Sequence, residues 1–173
     1  MSVQADSVKA IVDALKQAQA RYLLVGGLAV NAHGYVRYTV DVDLVIALDP
    51  ENILRSLGAL TRLGYTPRVP VKIEEFADAA KREQWIREKG MIVFQLVSDD
   101  HPRTPVDVFV TTPFDFELQF KRAPRLPLLG GREVPVLALD ELLLMKTRAG
   151  RPKDLLDVDE LRSMHEFPPE TPV

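Results

Sequence analysis

The chain has 173 residues, 46% of them hydrophobic, with 22 Lys and Arg against 25 Asp and Glu for a formal charge of −3, and it contains no cysteine. At about 150 residues per domain that length makes one domain over residues 1–173, large enough to bury roughly two-thirds of its unfolded surface, while the lack of Cys excludes disulfide frameworks, thiolate zinc sites, iron–sulfur clusters and cysteine nucleophiles. The longest apolar runs, such as residues 44–48, fall far short of the roughly 18 residues of a membrane span, and the slight acidity argues against coating nucleic acid through overall charge while leaving room for a local basic groove.

Val8, Ile11, Val12, Leu15 and Ala18 recur at helical spacing, with Asp6 or Ser7 placed to cap the free amides, so the chain opens on an amphipathic helix. Residues 22–25 read as a short buried strand broken by Gly26-Gly27, and residues 28–33 as one or two helical turns stopped by Gly34. Residues 40–48 are the strongest strand candidate, rich in β-branched and apolar side chains. Asp49-Pro50 then caps a helix whose Ile53, Leu54, Leu57, Leu60 and Leu63 share a face before Gly64 ends it. Residues 73–89 read as a charged surface helix anchored by Phe76, Ala80 and Trp85. Two strands, 91–97 and 106–110, are joined by the polar loop 98–105 as a long hairpin. Residues 126–129 and 133–137 flank Gly130-Gly131 as a small hairpin, and two helices, 139–149 and 152–164, meet at Gly150 before a Pro-rich end that reads as a frayed tail from about residue 167. Together these elements predict an α/β (α+β) fold with a small mixed β-sheet flanked by helices.

Aspartate is depleted in strands, yet Asp41 and Asp43 sit inside the most apolar strand candidate of the chain. Side chains two apart on a strand project from one face, so both carboxylates converge while Val42 and Leu44 face the other layer. Two carboxylates held together repel and resist desolvation unless a cation neutralises them. Hard oxygen ligands suit Mg²⁺ or Mn²⁺. Asp107 lies among β-branched neighbours in the later strand and, if that strand pairs beside the first, adds a third carboxylate. Three acidic groups match a two-metal phosphoryl-transfer site, one ion activating the attacking hydroxyl and the other holding a triphosphate. On the competing reading the aspartates face solvent on a half-exposed sheet.

The string Val25-Gly26-Gly27-Leu28-Ala29-Val30, with His33-Gly34, Arg37, Thr39, Asp41-x-Asp43-Leu44 and the later Asp107, resembles the polymerase-β-type nucleotidyltransferase superfamily. It is similar in particular to small bacterial nucleotidyltransferases related to abortive-infection and toxin–antitoxin enzymes. Lys146 and the run Arg151-Pro152-Lys153-Asp154-Leu155-x-Asp157 match the C-terminal Lys and Lys/Arg-Asp pair of those proteins. The resemblance implies Mg²⁺- or Mn²⁺-dependent transfer of a nucleoside monophosphate from an NTP to an acceptor hydroxyl on RNA, such as tRNA, on protein or on a small molecule; the short apolar runs and the absence of a basic segment leading an apolar core in residues 1–20 point separately to the cytoplasm. The resemblance further implies Asp41, Asp43 and Asp107 as the catalytic and metal-binding set, Gly26, Gly27, Arg37, Thr39, Lys146 and Asp154 at the nucleotide, and a cognate antitoxin as a possible protein partner. Many relatives carry Ser at the Gly27 position; here phosphate contacts fall to backbone N–H groups and to Thr39.

Each of these residues also has a plainer reading. Gly26-Gly27 makes a tight turn, Arg37 is a solvated loop residue, Lys146 snorkels from the border of an apolar helix face, and Asp154 and Asp157 meet a helix dipole. His33 is a structural hydrogen-bonder, and His101 and His165 carry no signal. Lys121, Arg122 and Arg125 form a basic cluster, a solvated patch or an RNA contact. For the whole chain the rivals are a catalytically silent nucleotidyltransferase-like regulatory domain and a plain nucleic-acid-binding module.

Overall fold

The computed structural model describes residues 3–128 and 131–165. Gly130 of the expected two-glycine turn, Leu129 of the strand before it and the expected frayed tail lie outside the described residues. Helix α1 (Val3–Gln17) is followed by strand β1 (Tyr22–Val25), helix α2 (Gly26–Ala32), strand β2 (Val42–Ile46) and helix α3 (Pro50–Arg62). The two-residue strand β3 (Thr66–Pro67), a 3₁₀ turn (Ile73–Ala77) and helix α4 (Ala79–Lys89) lead into strands β4 (Val93–Val97) and β5 (Val106–Phe109). Helix α5 (Phe116–Arg122), the hairpin of β6 (Arg125–Pro127) and β7 (Glu133–Pro135), and helices α6 (Leu139–Ala149) and α7 (Pro152–His165) complete the described chain.

The main sheet has the order β1-β2-β5-β4-β3 and is mixed: β2 and β5 run parallel, and the other neighbours antiparallel. The register pairs Val25 with Asp43 and Asp43 with Asp107, and it sets Gln95 beside Asp107. One sheet face is apolar, because Leu44, Val108 and Phe94 alternate with those polar residues and are buried. Phe94 stacks on Trp85 of α4 at 5.5 Å and packs on Phe76 of the 3₁₀ turn at 5.2 Å, so these segments cover that face. The polar face is left to α6 and α7, which pack on each other, with α6 also reaching α2.

Several expected boundaries shift for local reasons. The first helix starts ahead of Asp6 and Ser7, so neither caps it; Ser7 is buried within the helix, where its Oγ lies 2.9 Å from His101 Nδ1. The strand expected over 40–48 is Val42–Ile46, which leaves Asp41 one residue ahead of the ladder. Asp78 divides the expected 73–89 helix, because its carboxylate accepts from Ala80 N and Lys81 N and starts α4 there; Ala80 is exposed and anchors nothing. Asp49 caps α3 as expected, accepting from Asn52 N at 2.9 Å. The Asn52 amide also binds Arg21 O, Arg21 N and Ala47 O, fastening the start of β1 to the end of β2.

Candidate active site

The strand β1 passes into α2 at Gly26, whose φ of +67° favours glycine. A Cβ there would sit 2.0 Å from Asp43 Oδ2, so the absence of a side chain is what lets the Asp43 carboxylate lie against the turn. The Gly27 N–H donates to that carboxylate. At Gly27 a Cβ would meet Thr39 Oγ1 at 2.4 Å and Arg37 Nη1 at 3.3 Å. Both glycines are therefore dictated by side chains arriving from residues 37–43, and the Thr39 hydroxyl fills the space a serine at position 27 would need.

Asp43 and Asp107 face the same side of the sheet from adjacent parallel strands, with Asp41 at the lead-in to β2. Burial, reinforced by the charges of Asp107 and Asp41, pushes the Asp43 carboxyl up to about 6, although Lys146 and the Gly27 N–H pull the other way. Burial likewise raises Asp107, against a hydrogen bond from Gln95 Nε2 at 2.8 Å. Arg68 Nη1 in turn donates to Gln95 Oε1 at 2.6 Å, which fixes the amide orientation. The donor chemistry is that of a hard divalent cation. Among the described residues, however, no three such side chains are gathered into a ligand cluster. The carboxylates repel, and two of them turn to neutral donors, Gly27 N–H and the Gln95 amide.

The cations arrive from both ends of the chain. Asn31 of α2 exchanges two hydrogen bonds with the Arg37 backbone, at 2.9 Å and 3.0 Å. The Arg37 guanidinium binds both Asp157 oxygens, at 2.5 Å and 2.7 Å. Lys146 Nζ lies 2.8 Å from Asp154 Oδ1 and 2.9 Å from Asp157 Oδ2, and Arg151 Nε lies 2.5 Å from Asp154 Oδ2. Both aspartates are fully buried. Burial raises their carboxyls, but the hydrogen bonds from Arg151 and Lys146 to Asp154, and from Arg37 and Lys146 to Asp157, outweigh it and hold both below the usual range. Lys146 thus enters the site as the centre of an ion-pair network and not as a lone snorkelling cation. Three cations against two carboxylates leave the network one positive charge. Asp154 and Asp157 do not act merely as helix-dipole acids; they hold this network.

A cleft of about 580 Å³ gathers these groups. All nine expected residues line it: Asp41, Asp43 and Asp107 on the sheet side, Gly26, Gly27, Arg37 and Thr39 along the turn and its facing loop, Lys146 and Asp154 on the α6–α7 side. Ile92, Pro113, Met145, Arg148, Arg151 and Lys153 extend the lining outward. Sequence reasoning passed over Gln95 and Asn31; the polar Gln95, alternating with buried Phe94 and Leu96 on β4, was the available signal. His33 stays out of the cleft lining and binds Leu137 O through Nε2 at 2.8 Å, a structural role as expected.

A model of the family described as nucleotidyl transferase AbiEii toxin, type IV toxin–antitoxin system, matches residues 10–172. The chain belongs to this family. No curated protein sequence matches it. The solution structure of the antibiotic-resistance factor ANT(2″)-Ia is similar with a TM-score of 0.61 at 14% identity, covering 94% of this chain and 84% of that one. The crystal structure of ANT(2″)-Ia in complex with adenylyl-2″-tobramycin gives 0.60 at 13% identity, over 96% and 91% of the two chains. A putative nucleotidyltransferase, TM1012 of Thermotoga maritima, gives 0.56 at 15% identity, over 94% and 92%. At these identities the likeness is one of fold, and it places this chain on a nucleotidyltransferase scaffold. No helix among its described residues is long and apolar enough to cross a membrane.

Proposed function

We propose that this protein transfers a nucleoside monophosphate from an NTP to an acceptor hydroxyl at the cleft, in a reaction that depends on Mg²⁺ or Mn²⁺. The observation that carries this reading is the convergence of acidic strand residues, the glycine turn and the α6–α7 cations on one cleft from segments far apart in sequence. A divalent ion held by Asp41, Asp43 and Asp107 would neutralise triphosphate charge and lower the acceptor pKa. Gly26 and Gly27 let the triphosphate approach the backbone, and the Thr39 hydroxyl beside Gly27 is the side-chain donor for a phosphate oxygen. Asp107, oriented by Gln95, takes the acceptor proton as the acceptor oxygen bonds to the α-phosphorus and pyrophosphate leaves. Positive charge on pyrophosphate's side comes from Arg151 and Lys153, with Lys146 and Arg37 contributing through the network.

The outer lining is apolar and basic, with Arg148, Arg151 and Lys153 and no carboxylate beyond those already described. That chemistry suits an acceptor bearing negative charge, such as the end of an RNA, over a polycationic small molecule. A cognate antitoxin as the partner that opposes this activity is supported by the toxin–antitoxin description of the family. Incubation with each α-labelled NTP, Mg²⁺ and either total RNA or RNA-free lysate tests the reading. Label on RNA is the expected result. Label on neither acceptor with any NTP would favour a silent regulatory domain.

A further inference from the structure

A second cavity, of about 250 Å³, lies at the other end of β1 from the glycine turn. Val25 pairs with Asp43 at the cleft end, whereas Tyr22, paired with Ile46, lines the second cavity. About 10 Å of strand separates the two positions. Lys16, Arg21, Phe120, Arg125 and Glu133 share the lining with Tyr22.

The Tyr22 side chain is only 5% exposed. Among the described residues no protein group hydrogen-bonds its hydroxyl, which is not among the polar atoms sealed off without a partner and so stays accessible from the cavity that Tyr22 lines. Burial pushes that phenol up to about 12, against the nearby charge of Arg125, so it remains an O–H donor at neutral pH. The cations around it divide into two kinds. Arg21 is committed: its Nη2 lies 2.6 Å from both Glu117 oxygens, and its guanidinium stacks over Phe116 and Phe120 at 5.7 Å and 5.1 Å. Lys16 and Arg125 enter no ion pair among the described residues, and Arg125 reaches only the Glu133 carbonyl, at 3.3 Å. Glu133 is exposed, so its carboxylate is free to turn to solvent.

We propose that this cavity is a phosphate-binding subsite, taking a phosphoryl group whose oxygens accept from the Tyr22 hydroxyl, the Lys16 ammonium and the Arg125 guanidinium. A tetrahedral oxyanion with several acceptor oxygens suits three donors arriving from different elements, and two of those bonds are charge-assisted. The group belongs either to a free phosphate or nucleotide or to an RNA chain. The subsite stands apart from nucleotidyl transfer and does not depend on it.

Titration calorimetry of the full chain with inorganic phosphate tests the subsite. Tyr22→Phe deletes one hydroxyl that has no protein partner, so the variant keeps its fold, which melting in phosphate-free buffer verifies. Tyr22→Phe and Arg125→Gln should each weaken phosphate binding about tenfold, and Arg151→Gln, in the catalytic cleft, should leave that component in place. The proposal is overturned if the parent binds no phosphate up to about 20 mM, or if binding follows Arg151→Gln and ignores Tyr22→Phe. Repeating the series with a short single-stranded RNA names the source: a matching loss there assigns the site to the RNA backbone, and a loss confined to inorganic phosphate assigns it to a free ligand.

Discussion

Arg37 and Asp157, 120 residues apart, form a two-pronged ion pair in which Nε and Nη2 of the guanidinium bind the two carboxylate oxygens at 2.5 Å and 2.7 Å. Because Asn31 holds the Arg37 backbone, this pair fastens the loop that carries Thr39 and Asp41 to α7. Asp157→Asn should destabilise the fold by about 3–5 kcal/mol, since it strips the buried counter-charge from Arg37 and Lys146. Amide exchange that accelerates more over residues 35–41 than over β4 and β5 is the local result that hydrogen-exchange measurements should show. Arg37→Lys keeps the charge but loses the fork, so it should reproduce the exchange effect at smaller cost to stability.

The Lys146 network alters what a plain snorkelling residue would predict. Lys146→Met leaves Asp154 and Asp157 short of a buried counter-charge, and a loss of about 3–5 kcal/mol in urea unfolding is expected, against no measurable loss for exposed Lys153→Met. Both carboxyls are held below the ordinary value of 3.8, so their contribution is present above that pH and is lost as pH falls through the lower folded values. The gap between parent and Lys146→Met should therefore narrow on acidification below about pH 4. Equal urea midpoints for the two chains at neutral pH would contradict the network's role.

Asp43 has the opposite sign. Its folded value of about 6 exceeds the ordinary value of 3.8, so the folded chain holds a proton that the unfolded chain has released between those values. Stability should fall as pH rises from about 4 to about 6 and level off above. A divalent cation needs the ionised form, so Mg²⁺ should raise the melting temperature more near pH 7 than near pH 5. The double variant Asp41→Asn, Asp43→Asn should lose that Mg²⁺-dependent shift; a full shift in the double variant would mean the cation binds elsewhere.

Gly27 and Thr39 compete for one space. Gly27→Ser should disturb the turn and lower the melting temperature, because its Cβ would lie 2.4 Å from Thr39 Oγ1 and 2.9 Å from Thr39 Cβ. Adding Thr39→Gly removes both atoms and should restore stability together with a hydroxyl at the turn. Recovery of melting temperature and turnover in the pair, relative to Gly27→Ser alone, is the outcome to look for.

The cleft carboxylates were legible because aspartate in a run of β-branched residues contradicts local propensity, and Asp43 and Asp107 lie side by side on paired strands. The glycine turn and the caps at Asp49 and Gly150 were legible from local backbone chemistry. The Arg37–Asp157 bond was not, since no local pattern ties a loop arginine to a helix 120 residues later. Nor was the break at Asp78, where a capping carboxylate interrupts helical spacing that continues on either side. Leu144 reads as a core residue with Leu142 and Leu143, yet it is 40% exposed because α6 buries one stripe against α2 and α7.

Transfer of label from an α-labelled NTP to RNA in the presence of Mg²⁺, compared between the parent and Asp43→Asn, tests the cleft carboxylates directly. The substitution keeps the side-chain shape and the room left by Gly26 while removing the charge. The parent should label the acceptor and Asp43→Asn should lose at least about a hundredfold in rate with its fold intact by melting. Labelling by Asp43→Asn at the parent's rate would contradict the assignment of the cleft as the site of transfer.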